Sequence, residues 1–102
     1  MSAVFFDHNS TTALHSEVLK AMLPFMTQQH GNATSRHNFG RTARAAIEQA
    51  REQVATVINA HPSQVVFTAS GTEANNFAIR GMADESSNGQ ILFSAVEHPC
   101  VS

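Results

Sequence analysis

Residues 65–76 run Val-Val-Phe-Thr-Ala-Ser-Gly-Thr-Glu-Ala-Asn-Asn. An apolar, β-branched run stops in small hydroxylated residues and a glycine, and helix-favouring residues begin at Glu73. The pattern predicts a strand that turns tightly into a helix N-terminus. Such a junction leaves several backbone N–H groups without intrahelical partners, beside the positive end of the helix dipole. A phosphate or carboxylate suits that place. Gly71 has no Cβ to hold an anion away from the backbone, and Ser70 and Thr72 add hydroxyl donors. The same residues also describe an ordinary N-capped helix after a buried strand. Local chemistry leaves both readings open.

Other reactive side chains are few. The chain has one lysine, Lys20, and one cysteine, Cys100. Glu97-His98-Pro99-Cys100 sets an imidazole two residues from the thiol, the composition of a Cys–His nucleophile pair. A small packed thiol is the expected fate instead. Of the six histidines, His30 and His37 stand seven apart, with no nearby cysteine and no H-E-x-x-H pattern, so no metal site is expected. His8, His15 and His61 read as turn or surface residues. Lys20 is expected on the solvated face of an amphipathic helix.

Composition narrows the classes. At 102 residues the chain is long enough for one small domain with a modest core. A hydrophobic fraction of 42% and a charged fraction of 14% argue against disorder. A net charge of −2 gives no case for nucleic acid or an anionic membrane as a partner. No apolar run approaches the roughly 20 residues that span a bilayer. The start, Met1-Ser2-Ala3-Val4-Phe5-Phe6-Asp7, has neither the basic residues nor the apolar length of a signal peptide. One cysteine cannot form an internal disulfide, so a reducing cytoplasm is the expected location.

The elements that must position these residues follow from periodicity. Val4, Phe5 and Phe6 enter as a short strand, and Asp7 to Thr12 form a polar turn. Residues 14–26 read as a helix with Leu14, Val18, Met22 and Phe25 on one stripe, kinked or ended by Pro24. His30 to His37 is a loop. A longer helix is expected from about 38 to 60, with Phe39, Ala43, Ile47, Ala50, Val54, Val57 and Ile58 facing a core. Arg44, Glu48, Arg51 and Glu52 fall on its solvated side. Pro62 and Ser63 close the next turn. A strand at 64–68 leads to the anion-ready turn and a helix of about 72–85. Asn88-Gly89 signals a turn, and residues 90–95 read as a buried strand. Strand–helix–strand implies an α/β layer fold with parallel strands. Two strands make a poor sheet, and the chain stops at Ser102, where a further helix is expected. It reads as the front of a larger domain.

At this point the chain resembles a known family. Thr68-Ala69-Ser70-Gly71-Thr72-Glu73-Ala74-Asn75-Asn76 is similar to the phosphate-turn motif of cysteine desulfurases, pyridoxal-phosphate enzymes of the class V aminotransferase group. Asp7-His8-Asn9-Ser10-Thr11-Thr12 resembles their N-terminal motif, an aspartate, two residues and Ala-Thr-Thr. Gly31-Asn32-Ala33-Thr34-Ser35-Arg36-His37 resembles Gly-Asn-Pro-Ser-Ser-x-His. Glu97-His98-Pro99-Cys100-Val101 resembles Glu-His-x-Ala-Val. The four motifs occur in the family's order. The departures are Ser10 and Cys100 for alanine, Ala33 for proline and a missing proline after Thr12.

The resemblance implies an incomplete N-terminal part of a fold-type I transferase large domain, one segment over residues 1–102 that ends before the Schiff-base lysine. It implies pyridoxal 5′-phosphate as cofactor, with Gly71 and Thr72 on the phosphate and His98 stacked on the pyridine ring and taking part in proton movement. Thr11, Thr12 and Asn32 would line the substrate pocket. The implied reaction converts L-cysteine to L-alanine and leaves a persulfide for iron–sulfur cluster assembly or thiolation. The implied partners are a second copy of the enzyme and a sulfur-acceptor or scaffold protein. The lysine, the pyridine-pairing aspartate and the persulfide cysteine of the family have no counterpart in these residues, so the chain alone is expected to be inactive. Two alternatives remain: another class V enzyme, such as an aminotransferase or selenocysteine lyase, or a catalytically inactive chain.

Overall fold

The computed structural model describes residues 3–85 and 89–101. Regular structure among them is helical: α1 over Ser16–Thr27, α2 over Asn38–Val57, a 3-10 turn over Pro62–Gln64 and α3 over Gly71–Glu85. The expected strands at 64–68 and 90–95 are not formed among the described residues, so the parallel sheet is not seen here. The reason is that a strand is not a local structure. Its N–H and C=O groups are satisfied only by a neighbouring strand, whereas a helix closes its own hydrogen bonds. The Asn88-Gly89 turn lies partly outside the described residues.

The helices begin where their caps predict. His15 precedes α1, and its Nδ1 accepts the Glu17 N–H at 3.3 Å. His37 does the same for Gly40 at 3.4 Å at the start of α2. Pro24 was expected to break α1, yet the helix runs on to Thr27. Pro24 lies in the last turn, so its missing N–H costs one bond only, and its carbonyl closes the end by accepting from Gln28 and Gln29 at 2.9 and 2.8 Å. Lys20 is exposed as expected, paired with Glu17 at 2.8 Å.

Helix α2 stops three residues before the expected 60. Asn59 adopts a left-handed φ of 53°, and the Ala60 and Asn59 N–H groups return to Ala55 and Thr56 carbonyls at 2.9 and 3.3 Å. This is the double hydrogen bond of a Schellman stop, with asparagine in the place usually taken by glycine. The fold-back drops Pro62–Gln64 onto the end of α2. Ala55 and Val65 become the buried apolar pair, at 1% and 8% exposure. The expected core stripe is therefore corrected. Phe39, Ile47, Val54, Val57 and Ile58 are exposed, because no other helix among the described residues packs on that side of α2.

Arg51, on the side expected to be solvated, instead holds the next segment. Its guanidinium donates to the Val65 carbonyl, pairs with Glu48 at 3.1 Å and lies 5.1 Å from the Phe67 ring centroid. Its planar fork serves the acceptors and its face meets the ring. Arg44 likewise donates to the Ala33 carbonyl at 2.9 Å. The radius of gyration is 18.4 Å, against about 13 Å for a compact domain of roughly 100 residues. An open apolar groove of about 560 Å³ between Phe25, Ile47, Ala50 and Phe67 accounts for part of that openness.

Candidate functional site

The site is built on the first turn of α3. Thr68 Oγ1 donates to the Ser70 carbonyl at 3.0 Å and tightens the turn. Ser70 Oγ accepts the Glu73 N–H at 3.2 Å, and Glu73 reaches back to accept the Ala69 N–H at 2.7 Å. Together they resemble a capping box shifted by one residue. The ordinary-cap reading of this turn is thus correct as far as it goes. What the caps leave over matters more. The N–H groups of Gly71 and Thr72 and the Thr72 hydroxyl have no partner among the described residues. A Cβ built on Gly71 would meet nothing within 4 Å, so the approach to these donors is open. These three groups, with the Ser70 hydroxyl proton, lie at the positive end of a 15-residue helix. The donor set fits a phosphate dianion.

His98 is exposed and sits at the start of a turn over residues 98–101. The Val101 N–H donates to the His98 carbonyl at 2.9 Å, with Pro99 in the position where its fixed φ favours the turn. His98 Nδ1 accepts the Cys100 N–H at 3.2 Å. Nδ1 is then the bare nitrogen of the neutral ring, and Nε2 carries the proton. Two asparagines of α3 hold the turn. Asn75 Nδ2 donates to Cys100 Sγ at 3.1 Å, and Asn76 Nδ2 donates to the Cys100 carbonyl at 3.3 Å and to Thr72 O at 3.0 Å. Thiol and imidazole do not pair: the contact to His98 comes from the Cys100 backbone, and the half-buried thiol faces Asn75.

The remaining candidates lie apart. Thr11 donates its N–H to the Asp7 carbonyl at 3.3 Å, and Thr12 Oγ1 lies 3.3 Å from His8 Nδ1. Asn32 Oδ1 accepts the N–H and hydroxyl of Thr34 at 2.9 and 2.8 Å, an Asx turn that shapes its own loop. No hydrogen bond among the described residues joins Thr11, Thr12 or Asn32 to the Ser70–Thr72 turn. The turn that His98 opens is tied through Cys100 to Asn75 and Asn76 of the helix that Gly71 and Thr72 begin, and no hydrogen bond among the described residues ties the other three to it.

Three positioning residues escaped the sequence reading. Asn75 and Asn76 were read only as part of a motif, although two adjacent amides just after a capped turn are a signal for side-chain anchoring. Gly40 is the third. It is buried, and a Cβ there would run into the Ser35 carbonyl and lie 2.7 Å from the Asn32 carbonyl. Its signal was a glycine inside a helical pattern, which implies close approach.

The aminotransferase class-V family profile matches residues 4–102. The chain is 47% identical over 100 residues to the cysteine desulfurase IscS of Dictyoglomus turgidum, covering 96% of this chain and 25% of that protein. It is 46% identical to a cysteine desulfurase of Sinorhizobium fredii, covering 99% of this chain and 27% of the relative. It is 43% identical to a mitosomal cysteine desulfurase of Trachipleistophora hominis, covering 96% and 23%. The chain thus spans about a quarter of the length of the relatives it matches. No solved structure matches it. With a family match running from residue 4 to the last residue, the chain belongs to the aminotransferase class-V family.

Proposed function

We propose that these residues form the cofactor-phosphate end of a cysteine desulfurase that uses pyridoxal 5′-phosphate. The observation that carries the reading is the set of uncommitted donors at Gly71 and Thr72, joined through Asn76 to the turn that bears His98. When bound, the cofactor supplies an electron sink for bond cleavage at the substrate. The chain's own residues bind and orient. Gly71 N–H, Thr72 N–H and Thr72 Oγ1 hold the phosphate, and the α3 dipole favours its charge. His98 offers the flat face of its ring to the pyridine and keeps a proton on Nε2. Thr11, Thr12 and Asn32 join the substrate pocket once the full sheet draws their loops together. In that setting residues 64–68 and 90–95 pair as parallel strands, which delivers the phosphate turn and His98 to one sheet edge.

The whole protein's substrate is then L-cysteine. Its partners are a second copy and a sulfur-acceptor or scaffold protein, and its location is the cytoplasm. Among the described residues no helix is long and apolar enough to cross a membrane. Lys20, paired with Glu17 on an exposed face, does not serve as the cofactor-binding lysine.

The test is a pair of titrations of the chain, with pyridoxal phosphate and with pyridoxal. Each hydrogen bond to a charged acceptor contributes about 1.5–3 kcal/mol, so the phosphate should tighten binding by about tenfold or more. Equal affinity for the two compounds would sink the phosphate-turn assignment.

A further inference from the structure

We infer that Asn76 is the positioning residue that sets His98 relative to the phosphate turn. This rests on the reading of Gly71, Thr72 and His98 given above. The two segments are more than twenty residues apart in the chain, and no strand pairing holds them together among the described residues. Asn76 has two amide protons on Nδ2. One goes to the Thr72 carbonyl, one helical turn back, at 3.0 Å. The other crosses to the Cys100 carbonyl at 3.3 Å. The side chain therefore ties the residue that offers phosphate donors to the turn that His98 opens. Asn76 is half-buried, while His98 and Thr72 are exposed.

The two neighbouring contacts divide the labour. Asn75 reaches the Cys100 sulfur, a weak acceptor, at 3.1 Å. Asn76 reaches backbone oxygens at both ends, which do not change with the residue at position 100. A carboxylate cannot make either contact, because it has no proton to give and would face two carbonyl oxygens. Asn76→Asp keeps the shape of the side chain and reverses its hydrogen bonding. Asn76 does not touch the cofactor in this scheme. It acts through His98, whose Nδ1 accepts the N–H of Cys100, the residue whose carbonyl Asn76 holds.

The experiment uses the 102-residue chain, whose only thiol is Cys100. Alkylation of Cys100 by iodoacetamide reads whether the turn is docked, and far-ultraviolet circular dichroism reads whether α3 persists. Asn76→Asp and Asn76→Leu should speed alkylation by about three- to tenfold with helix content unchanged, the effect of losing one or two ordinary hydrogen bonds. Asn75→Leu should speed it less. Binding then separates positioning from phosphate contact. Asn76→Leu and His98→Ala should weaken pyridoxal and pyridoxal phosphate by the same factor, and the double variant should be no weaker than His98→Ala. Unchanged alkylation in both Asn76 variants overturns the inference, as do additive losses in the double variant. If the wild-type chain shows no preference for the phosphorylated compound, the phosphate reading fails, while the alkylation series still decides the role of Asn76 in docking the turn.

Discussion

Two regions of this chain are held by opposite means. Around the end of α2, residues 51–67 are packed: Ala55 and Val65 are buried, the Asn59 stop turns the chain, and Arg51 meets Val65, Glu48 and Phe67. Residues 89–101 have no such packing. Leu92 and Val96 are each 92% exposed, and the segment is tied to the rest by two asparagine side chains. The packed region is closed by local sequence, since its hydrogen bond from Arg51 to Val65 spans 14 residues and the Arg51–Phe67 contact lies just beyond it. The tethered region depends on contacts 24 and 25 residues long, and such contacts repay their chain entropy only when many form together. The difference teaches where this chain is self-sufficient: the scaffold before the phosphate turn is, and the segment that carries His98 is not.

The contrast can be broken at its strongest point first. Gly40→Val should destabilise the start of α2 by about 1–3 kcal/mol, because its side chain collides with the Ser35 and Asn32 carbonyls. Urea unfolding followed by circular dichroism measures this, and a variant as stable as the wild type would mean that the 32–40 contact is not held in solution. Arg51→Ala should come next, at about 1.5 kcal/mol, the low end for a lost charged donor because the side chain is partly exposed. Arg51→Lys should recover less than half of it, since a single ammonium cannot span Val65, Glu48 and the Phe67 face. Full recovery by lysine would show that charge alone matters.

Thr72→Val tests the site rather than the scaffold. It should lower pyridoxal-phosphate affinity by about tenfold, leave pyridoxal affinity unchanged and leave unfolding unaltered. The smallest effect is expected at Lys20. Removing its exposed pair with Glu17 should change stability by under about 0.5 kcal/mol. Borohydride reduction of the chain with pyridoxal phosphate should give no site-specific adduct there by mass spectrometry, and a stoichiometric one would make Lys20 a cofactor residue after all.

Much of the scaffold was legible residue by residue. The stripe of small and apolar residues and the uninterrupted charge pairs predicted α2, and Ser70-Gly71-Thr72-Glu73 predicted the start of α3 within one position. Gly71, Thr72 and His98 could be named as candidates because motif and cap chemistry are local. What was not legible was long in range. The strands at 64–68 and 90–95 require neighbours that these residues do not provide, so β-branched composition at Val65-Val66 or Ile91 did not suffice. Arg51 looked like a solvated charge because its acceptor, the Val65 carbonyl, is fourteen residues away. Asn59 as a helix stop was missed because glycine is the commoner signal.

The imidazole caps carry one more consequence, about which histidines the chain can spare. His15, His37, His61 and His98 each accept a backbone N–H two or three residues onward through Nδ1, at 3.2–3.4 Å. Asparagine and aspartate offer an acceptor at a similar reach and do the same work at turns and helix starts. At positions 15, 37 and 61 the ring is therefore exchangeable for a shorter side chain, and a library of asparagine substitutions should pass through these sites almost silently. At position 98 the same exchange preserves the turn and removes the ring. Asparagine scanning thus works as a sieve that separates a histidine kept for its backbone contact from one kept for its aromatic face.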